Sequence, residues 1–360
     1  MKYIGQSDYQ HHSTPRIGVL LTNLGTPTAP TAKALKPYLK QFLWDPRVVE
    51  VPRPIWWLIL NGIILNTRPK RSAEAYKAVW SERGSPLLAH LEDQVAGVSA
   101  QLEARFGNRF IVRGAMRYGA PAINTVLAEM FDAGMEQLVV LPLYPQYGGP
   151  TTGSTFDEIA AEFTRRRWLP SFRFVSAYHD DPRYIRAMAD SIEAHWAVHG
   201  RADKLLLSYH GMPKRYLVEG DPYHCQCYKT SRLIGEVLHL TEEEMMTTFQ
   251  SRFGREEWLQ PYTDETLKAL PSEGVTSVQV ICPGFSADCL ETIEEIGMEN
   301  RDYFLEAGGT RYEYIPCLNA EPGHVTALTE LLADQMQGWL TKEHDPGTSD
   351  RLARDLGAPH

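Results

Sequence analysis

The sequence predicts an α/β fold of two similar halves, each a mainly parallel sheet flanked by helices. Three observations predict it. The apolar runs Ile17 to Leu21, Gln137 to Leu141, Leu205 to Leu207 and Val278 to Ile281 have the length and unbroken hydrophobicity of strands buried on both faces. Amphipathic segments of helical spacing, such as Pro121 to Ala133 and Asp181 to His199, lie between them. Finally, Leu20-Leu21-Thr22-Asn23-Leu24-Gly25-Thr26-Pro27 is echoed by Leu206-Leu207-Ser208-Tyr209-His210-Gly211-Met212-Pro213, and Leu141-Pro142 by Cys282-Pro283. The echo reads as a duplication, joined near Ala177 to Arg186. The first domain is expected over 16–180 and the second over 181–340. A polar tail over 341–360, containing Pro346 and Gly347, is expected to be poorly ordered.

Taken in order, the start from Met1 to Arg16 is polar and lacks the apolar stretch of a signal peptide. Ile55-Trp56-Trp57-Leu58-Ile59-Leu60 continues apolar to Leu65, an eleven-residue run. A bilayer span needs roughly 20 apolar residues. The run therefore reads as core, as the wall of a pocket for a flat aromatic ligand, or as a contact with a membrane surface. Gly148 to Gly153 is glycine-rich but has no P-loop lysine, and no G-x-G-x-x-G follows a candidate strand. Thr155-x-x-Glu158 offers a capping box for a helix toward Arg166. His224-Cys225-Gln226-Cys227 has no second cysteine pair and reads as structural.

Composition removes whole classes of function. At 360 residues, 43% hydrophobic and 22% charged, the chain is globular and long enough for two domains. Its formal charge of −9 offers no basic field to nucleic acid. Five cysteines, an odd number without framework spacing, suit a reducing compartment, so the protein is expected in the cytoplasm.

The candidate chemistry sits at two strand ends. In open α/β sheets, ligands bind outside the carboxyl ends of the strands. His210 ends the run Leu205 to Leu207 and lies in a turn before Gly211 and Pro213. Histidine suits proton transfer because its unperturbed pKa lies near 6.5. After Val278 to Ile281 comes Cys282-Pro283-Gly284-Phe285-Ser286-Ala287-Asp288-Cys289-Leu290-Glu291, followed by Glu294 and Glu295. An α-helix from Ser286 would place Asp288, Glu291 and Glu295 at i, i+3 and i+7 on one face. Such oxygens suit iron(II) or magnesium.

From about Arg16 to about Gln337 the chain resembles the ferrochelatases. The resemblance rests on the Gly25-Thr26-Pro27 turn, Pro69-x6-Tyr76, Arg117-Tyr118, Tyr144-Pro145-Gln146-Tyr147 with Thr151-Thr152-Gly153-Ser154, Gly220-Asp221-Pro222-Tyr223, His210 and Asp288-x-x-Glu291. Cys-x-Cys after Tyr223 and Gln250-Ser251-Arg252-Phe253-Gly254 are similar to the proteobacterial branch.

This resemblance implies two Rossmann-like domains of the chelatase type around a porphyrin cleft, with a lip at about 52–68. It implies insertion of ferrous iron into protoporphyrin IX to form protohaem. His210 would be the active-site histidine and Glu291 its facing carboxylate, both catalytic and both available to metal, with Asp288 and Glu295 behind them. Tyr76, Arg117, Tyr118, Trp258 and Phe285 would bind the porphyrin. Iron is then a substrate, and no tightly bound cofactor is expected. Some members of the family hold a [2Fe-2S] cluster on cysteines of a C-terminal extension, but no cysteine follows Cys317, so that form of cluster is not expected. The lip leaves room for peripheral contact with the inner membrane. Cys289 stands where many relatives have histidine, which removes a nitrogen from the metal path.

The chemistry fits independently. Metal insertion must remove two pyrrole protons, strip water from the ion and open a flat macrocycle, a distortion that contributes roughly 1–5 kcal/mol of ground-state strain. A base and carboxylates meet the first two needs. The residues alone leave two arrangements open, with His210 taking pyrrole protons or ligating the metal. Insertion of another metal, a different tetrapyrrole, or simple carriage of haem or metal are the rival readings.

Overall fold

The computed structural model describes residues 3–6, 9–11, 13–254, 256–340 and 345–358. Among the described residues eight strands form two sheets of four: β1 (Arg16–Thr26), β2 (Phe110–Gly119), β3 (Met135–Pro142) and β4 (Ser171–Phe174), then β5 (Lys204–His210), β6 (Met245–Gln250), β7 (Ser277–Ile281) and β8 (Arg311–Tyr314). The spatial orders are β2-β1-β3-β4 and β6-β5-β7-β8, and every pairing is parallel. The second sheet therefore repeats the connectivity of the first, and the echoed segments end β1 and β5, the equivalent inner strands.

The glycines of that echo have a steric cause. A Cβ on Gly25, at φ +129°, would stand 1.9 Å from the Tyr118 carbonyl oxygen of β2. On Gly211 it would stand 2.7 Å from the Gln250 oxygen and 3.1 Å from the Trp258 ring. At both strand ends the neighbouring backbone closes over a residue that can have no side chain.

Strand alternation divides the apolar residues between layers. Ile17, Val19, Leu21, Val139 and Leu141 of the first sheet share one core with Leu205, Leu207 and Ile281 of the second. The helices Pro86–Phe106, Pro182–His199 and Pro322–Gln335 fill that shared layer. The alternate residues, Leu20 and Val140 on one side and Leu206, Val278 and Val280 on the other, face outer cores. Pro322–Gln335 crosses back to pack on Pro86–Phe106, where a Cβ on Gly97 would meet Val325 at 2.8 Å.

Amide side chains pin the halves together near the strand ends. Gln94 Nε2 donates to the carbonyls of Ser286 (3.0 Å) and Asn319 (2.9 Å), and Gln146 Nε2 to Thr230 Oγ1 (3.0 Å). Gln226 Oε1 accepts from the Tyr147 amide at 2.7 Å, and Asp221 Oδ2 from the Gly149 amide at 2.8 Å.

Several expectations change. The apolar run 55–65 lies in nearly continuous helix: Arg53–Ile59, a π-helical stretch Leu60–Ile64, then Leu65–Val79. Trp56 is buried and donates from Nε1 to the Leu43 carbonyl, while Ile55, Trp57, Leu58 and Ile63 are more than half exposed. Thr155 does not begin a helix, because a π-turn over Gly149–Gly153 runs directly into Ser154–Phe163 and leaves no free amides to cap. In the tail, Pro346–Asp355 is helical, with the Asp345 carboxylate accepting from the amides of Gly347 and Thr348. An aspartate N-cap followed by proline at the first helical position explains that helix. Residues 341–344 and 359–360 of the same tail lie outside the described residues.

Candidate active site

Gln250, the last residue of β6, organises the strand ends. Its backbone oxygen accepts from the Gly211 amide at 2.6 Å, and its Oε1 accepts from Ser208 Oγ at 2.8 Å. Its Nε2 donates to the Glu291 carbonyl at 2.9 Å. One buried amide thus joins the strand bearing His210 to the first residue of the acidic helix. Sequence reasoning quoted Gln250 in a motif but gave it no role.

His210 has one ring nitrogen committed. Nδ1 lies 2.7 Å from the Gly211 carbonyl oxygen. A carbonyl only accepts, so Nδ1 carries the hydrogen and the neutral ring keeps its free electron pair on Nε2. Phe285 packs nearby, its ring centroid 6.5 Å from that of His210. On the other flank Trp258 covers Gly211, donates from Nε1 to the Phe253 carbonyl at 2.9 Å and packs on the Phe253 ring at 4.8 Å. Phe285 and Trp258 thus lie on either side of the His210–Gly211 turn.

The acidic segment departs from the expected α-helix. Residues 282–289 form a loop, Leu290 is already helical, and Glu291–Glu299 is a nine-residue π-helix. Such helices are rare and concentrate at functional sites. Its end is fixed by Asn300, whose amide N–H and Nδ2 both donate to the Glu295 carbonyl, the latter at 2.8 Å.

Glu295 is the most perturbed carboxylate here. The Ser251 amide donates to its Oε1 at 2.8 Å and Ser251 Oγ to its Oε2. Ser251 presents both donors from a left-handed backbone at φ 63°, a conformation that costs a non-glycine residue of order 1 kcal/mol. Burial pushes the Glu295 carboxyl up to about 7; the Ser251 bonds oppose the shift, and the charges of Glu291 and Glu299 add to it. Glu294 is also raised, by burial and by Glu299 and Glu291. Burial, and next the nearby charge of Glu291, push the Cys289 thiol up.

The first half supplies the facing surface. The phenols of Tyr38 and Tyr76 lie within electrostatic reach of Glu291, the Tyr38 hydroxyl donating to the Gly25 carbonyl at 3.1 Å, and burial holds both phenols well above the usual range. Arg68 of Leu65–Val79 lies within the same reach and stacks over Phe253, 5.9 Å from the ring centroid. Tyr76 is thus brought to the site, but buried behind its rim.

Three expected site residues have scaffolding places. Asp288 is buried and takes hydrogen bonds from Thr292 Oγ1 (3.0 Å), the Tyr314 hydroxyl, the Cys317 amide (3.4 Å) and Asn319 Nδ2 (2.8 Å). Lying before the π-helix, it is not on one helical face with Glu291 and Glu295. Arg117 donates to Ser154 Oγ (2.7 Å) and Asp45 Oδ2 (2.7 Å) and pairs with Glu158 (3.2 Å). Tyr118 is fully buried, and its hydroxyl donates to the same Asp45 oxygen at 2.9 Å. This Arg117–Tyr118–Asp45–Ser154 knot fastens β2 to the helices Ala32–Trp44 and Ser154–Phe163. Strand pleating turns Tyr118 into the core, which a motif match cannot reveal.

Among the described residues no helix is long and apolar enough to cross a membrane. All five cysteines are free, Cys225 exposed and the others buried.

Comparison with known proteins agrees with the geometry. SirB from Bacillus subtilis, solved with Fe3+, shares the fold at a TM-score of 0.53 and 14% identity, covering 90% of this chain and 97% of its own. The ferrochelatase of Marinobacter nauticus is 62% identical over 353 residues, 98% of this chain and 95% of that protein. The ferrochelatase of Idiomarina loihiensis is 63% identical over 343 residues, 95% of this chain and 94% of that protein. The Ferrochelatase family model matches residues 16–336. The chain belongs to the ferrochelatase family, whose members insert ferrous iron into protoporphyrin IX at the last step of haem synthesis.

Proposed function

We propose that the protein performs its family's lyase reaction, protoporphyrin IX and Fe2+ giving protohaem and two protons, with His210 accepting the pyrrole protons. Glu291 and Glu295 are the carboxylates that receive the metal and carry charge away. The carrying observation is the 2.7 Å contact between His210 Nδ1 and the Gly211 carbonyl. It fixes the tautomer that leaves Nε2 as a base and holds the ring against a backbone that Gln250 anchors. General bases act through such a positioned lone pair.

The π-helix supplies the complementary half. Glu291, Glu294, Glu295 and Glu299 concentrate negative charge on one short segment, which favours approach of a hydrated cation. With its carboxyl near pH 7, Glu295 exchanges protons at neutrality and can pass them between the site and solvent. Asp288, already holding four donors, orients the loop rather than the metal.

Phe285, Trp258 and the exposed apolar side chains of the lip offer the flat contact that a porphyrin needs, and the lip also suits peripheral contact with the inner membrane of a cytoplasmic protein. In this reading 16–180 and 181–340 are the two domains, and the second carries both His210 and Glu291.

The test is iron insertion by His210→Ala and Glu291→Gln, with porphyrin binding followed by fluorescence quenching. Loss of turnover by at least a hundredfold with binding retained is the expected result. Normal turnover in His210→Ala would defeat the assignment, and tight binding without turnover in the unaltered protein would favour a carrier.

A further inference from the structure

Among the described residues a second cluster of metal-ligating groups lies at the edge strand β8, level with Leu205 at the start of β5 rather than with His210 at its end. His195 and His199 stand one turn apart at the end of the helix Pro182–His199, their rings stacked with centroids 4.4 Å apart. Glu313 of β8 reaches the same place, with Oε2 2.9 Å from His195 Nε2. One ligand atom from each of the three residues lies within 4.8 Å of the other two. Histidines at i and i+4 share a helix face and chelate a single divalent ion. We propose that His195, His199 and Glu313 form a peripheral site for a borderline divalent cation of the zinc class, separate from the site at His210 and Glu291.

The surroundings support the carboxylate ligand. Arg311 donates to Glu313 through Nε (2.8 Å) and Nη2 (3.0 Å), and Gln279 Nε2 donates at 2.7 Å. Gln279 is held in turn by Trp196 Nε1, which donates to its Oε1 at 2.7 Å. Hydrogen bonds from Arg311, Gln279 and His195 keep Glu313 ionised far below the usual carboxylate range. Such outer partners fix the direction of a ligand. The carbonyls ending the helix add partial negative charge.

Arg311 is the opposing influence. Its charge offsets that of Glu313, although Nη2 also spends hydrogen bonds on the carbonyls of His199 (2.7 Å) and Gly200 (3.1 Å). Affinity therefore rests on the two imidazoles, which select nitrogen-preferring ions over Mg2+ and Ca2+. A bound ion replaces the proton between His195 Nε2 and Glu313. Bonds of about 2.0–2.1 Å at a tetrahedral angle need those two atoms about 3.3 Å apart, slightly wider than they stand now. Exposed His199 supplies the third ligand by side-chain rotation, and water completes the fourth position.

The test is titration of the full, metal-free chain with Zn2+ by calorimetry and with Co2+ by visible absorption, comparing the unaltered protein with His199→Ala and His195→Gln. The expected result is one fewer bound ion in each variant, or at least a tenfold weaker second site, with a smaller Zn2+-induced rise in Tm. Iron insertion should stay unchanged. Because His199 is exposed, its variant should fold with the same metal-free Tm. Equal stoichiometry and equal Tm shifts in all three proteins would overturn the proposal, as would an equal Tm rise with Mg2+. Lost iron insertion in His199→Ala would overturn the separateness of the site.

Discussion

Replacing Glu295 by glutamine should stabilise the protein at neutral pH while impairing its reaction. The folded protein raises the carboxyl from an ordinary 4.5 to about 7, chiefly through burial. A raised pKa means that the folded state binds the proton more tightly than the unfolded chain. Stability from this group is therefore complete below about pH 4.5 and is lost as pH rises toward 7. The shift of 2.5 units, at about 1.4 kcal/mol each, makes the charged side chain cost roughly 3 kcal/mol at pH 8. Glutamine keeps an oxygen for the Ser251 amide and an NH2 for the Ser251 hydroxyl, whose rotor can turn to accept. One weakened hydrogen bond sets about 1 kcal/mol against the gain. Glu295→Gln should thus gain about 2 kcal/mol at pH 8 and nothing, or a slight loss, at pH 4.5. Urea unfolding across pH 4.5–8 measures this directly, the variant gaining stability relative to the unaltered protein as pH rises through the window. A pH-independent difference, or a variant less stable at pH 8, would refute the argument. Slower iron insertion in the stabilised variant would show a site kept charged at the expense of stability.

Two further substitutions test the scaffold around that site. Asp288→Asn keeps the shape but turns one oxygen into an NH2 facing donors, so it should lose about 2–4 kcal/mol, read by chemical denaturation, while porphyrin binding weakens only in proportion to unfolding. Gln250→Leu removes the bonds to Ser208 Oγ and the Glu291 carbonyl, so kcat should fall at least tenfold with KM for iron nearly constant, the sign of lost positioning.

Much of this architecture was legible because burial on both faces writes a strand as an apolar run. β1, β3, β5 and β7, the inner strands of the two sheets, were visible in that way. The edge strands β4 and β8, Ser171–Phe174 and Arg311–Tyr314, are half-exposed and polar, and no run marks them. His210 and Glu291 were legible as strand-end chemistry. The π-helix was not: its width is set by hydrogen bonds such as those from Asn300 to the Glu295 carbonyl, while its residue spacing reads equally well as α. Arg117, Tyr118 and Asp288 show the limit of motif matching, since a motif does not say whether its side chains face a site or brace it from behind.

The repeated connectivity of the two sheets explains how one fold yields a site with two unlike sides. The position echoing His210 in the first half is Leu24, and that of Tyr209 is Asn23. Leu24 packs with Tyr38, Trp56, Leu60, Leu65 and Tyr76 in an apolar, aromatic cluster that also receives Leu290 from just before the π-helix. The same strand end thus carries a hydrophobic side chain in one half and an imidazole in the other. Gly25 and Gly211 both lie where the backbone of the neighbouring strand leaves no room for a Cβ, although only Gly25 has a positive φ. A flat apolar substrate and a charged ion demand opposite surfaces. Two sheets of one connectivity, unlike at this position, bring both surfaces together.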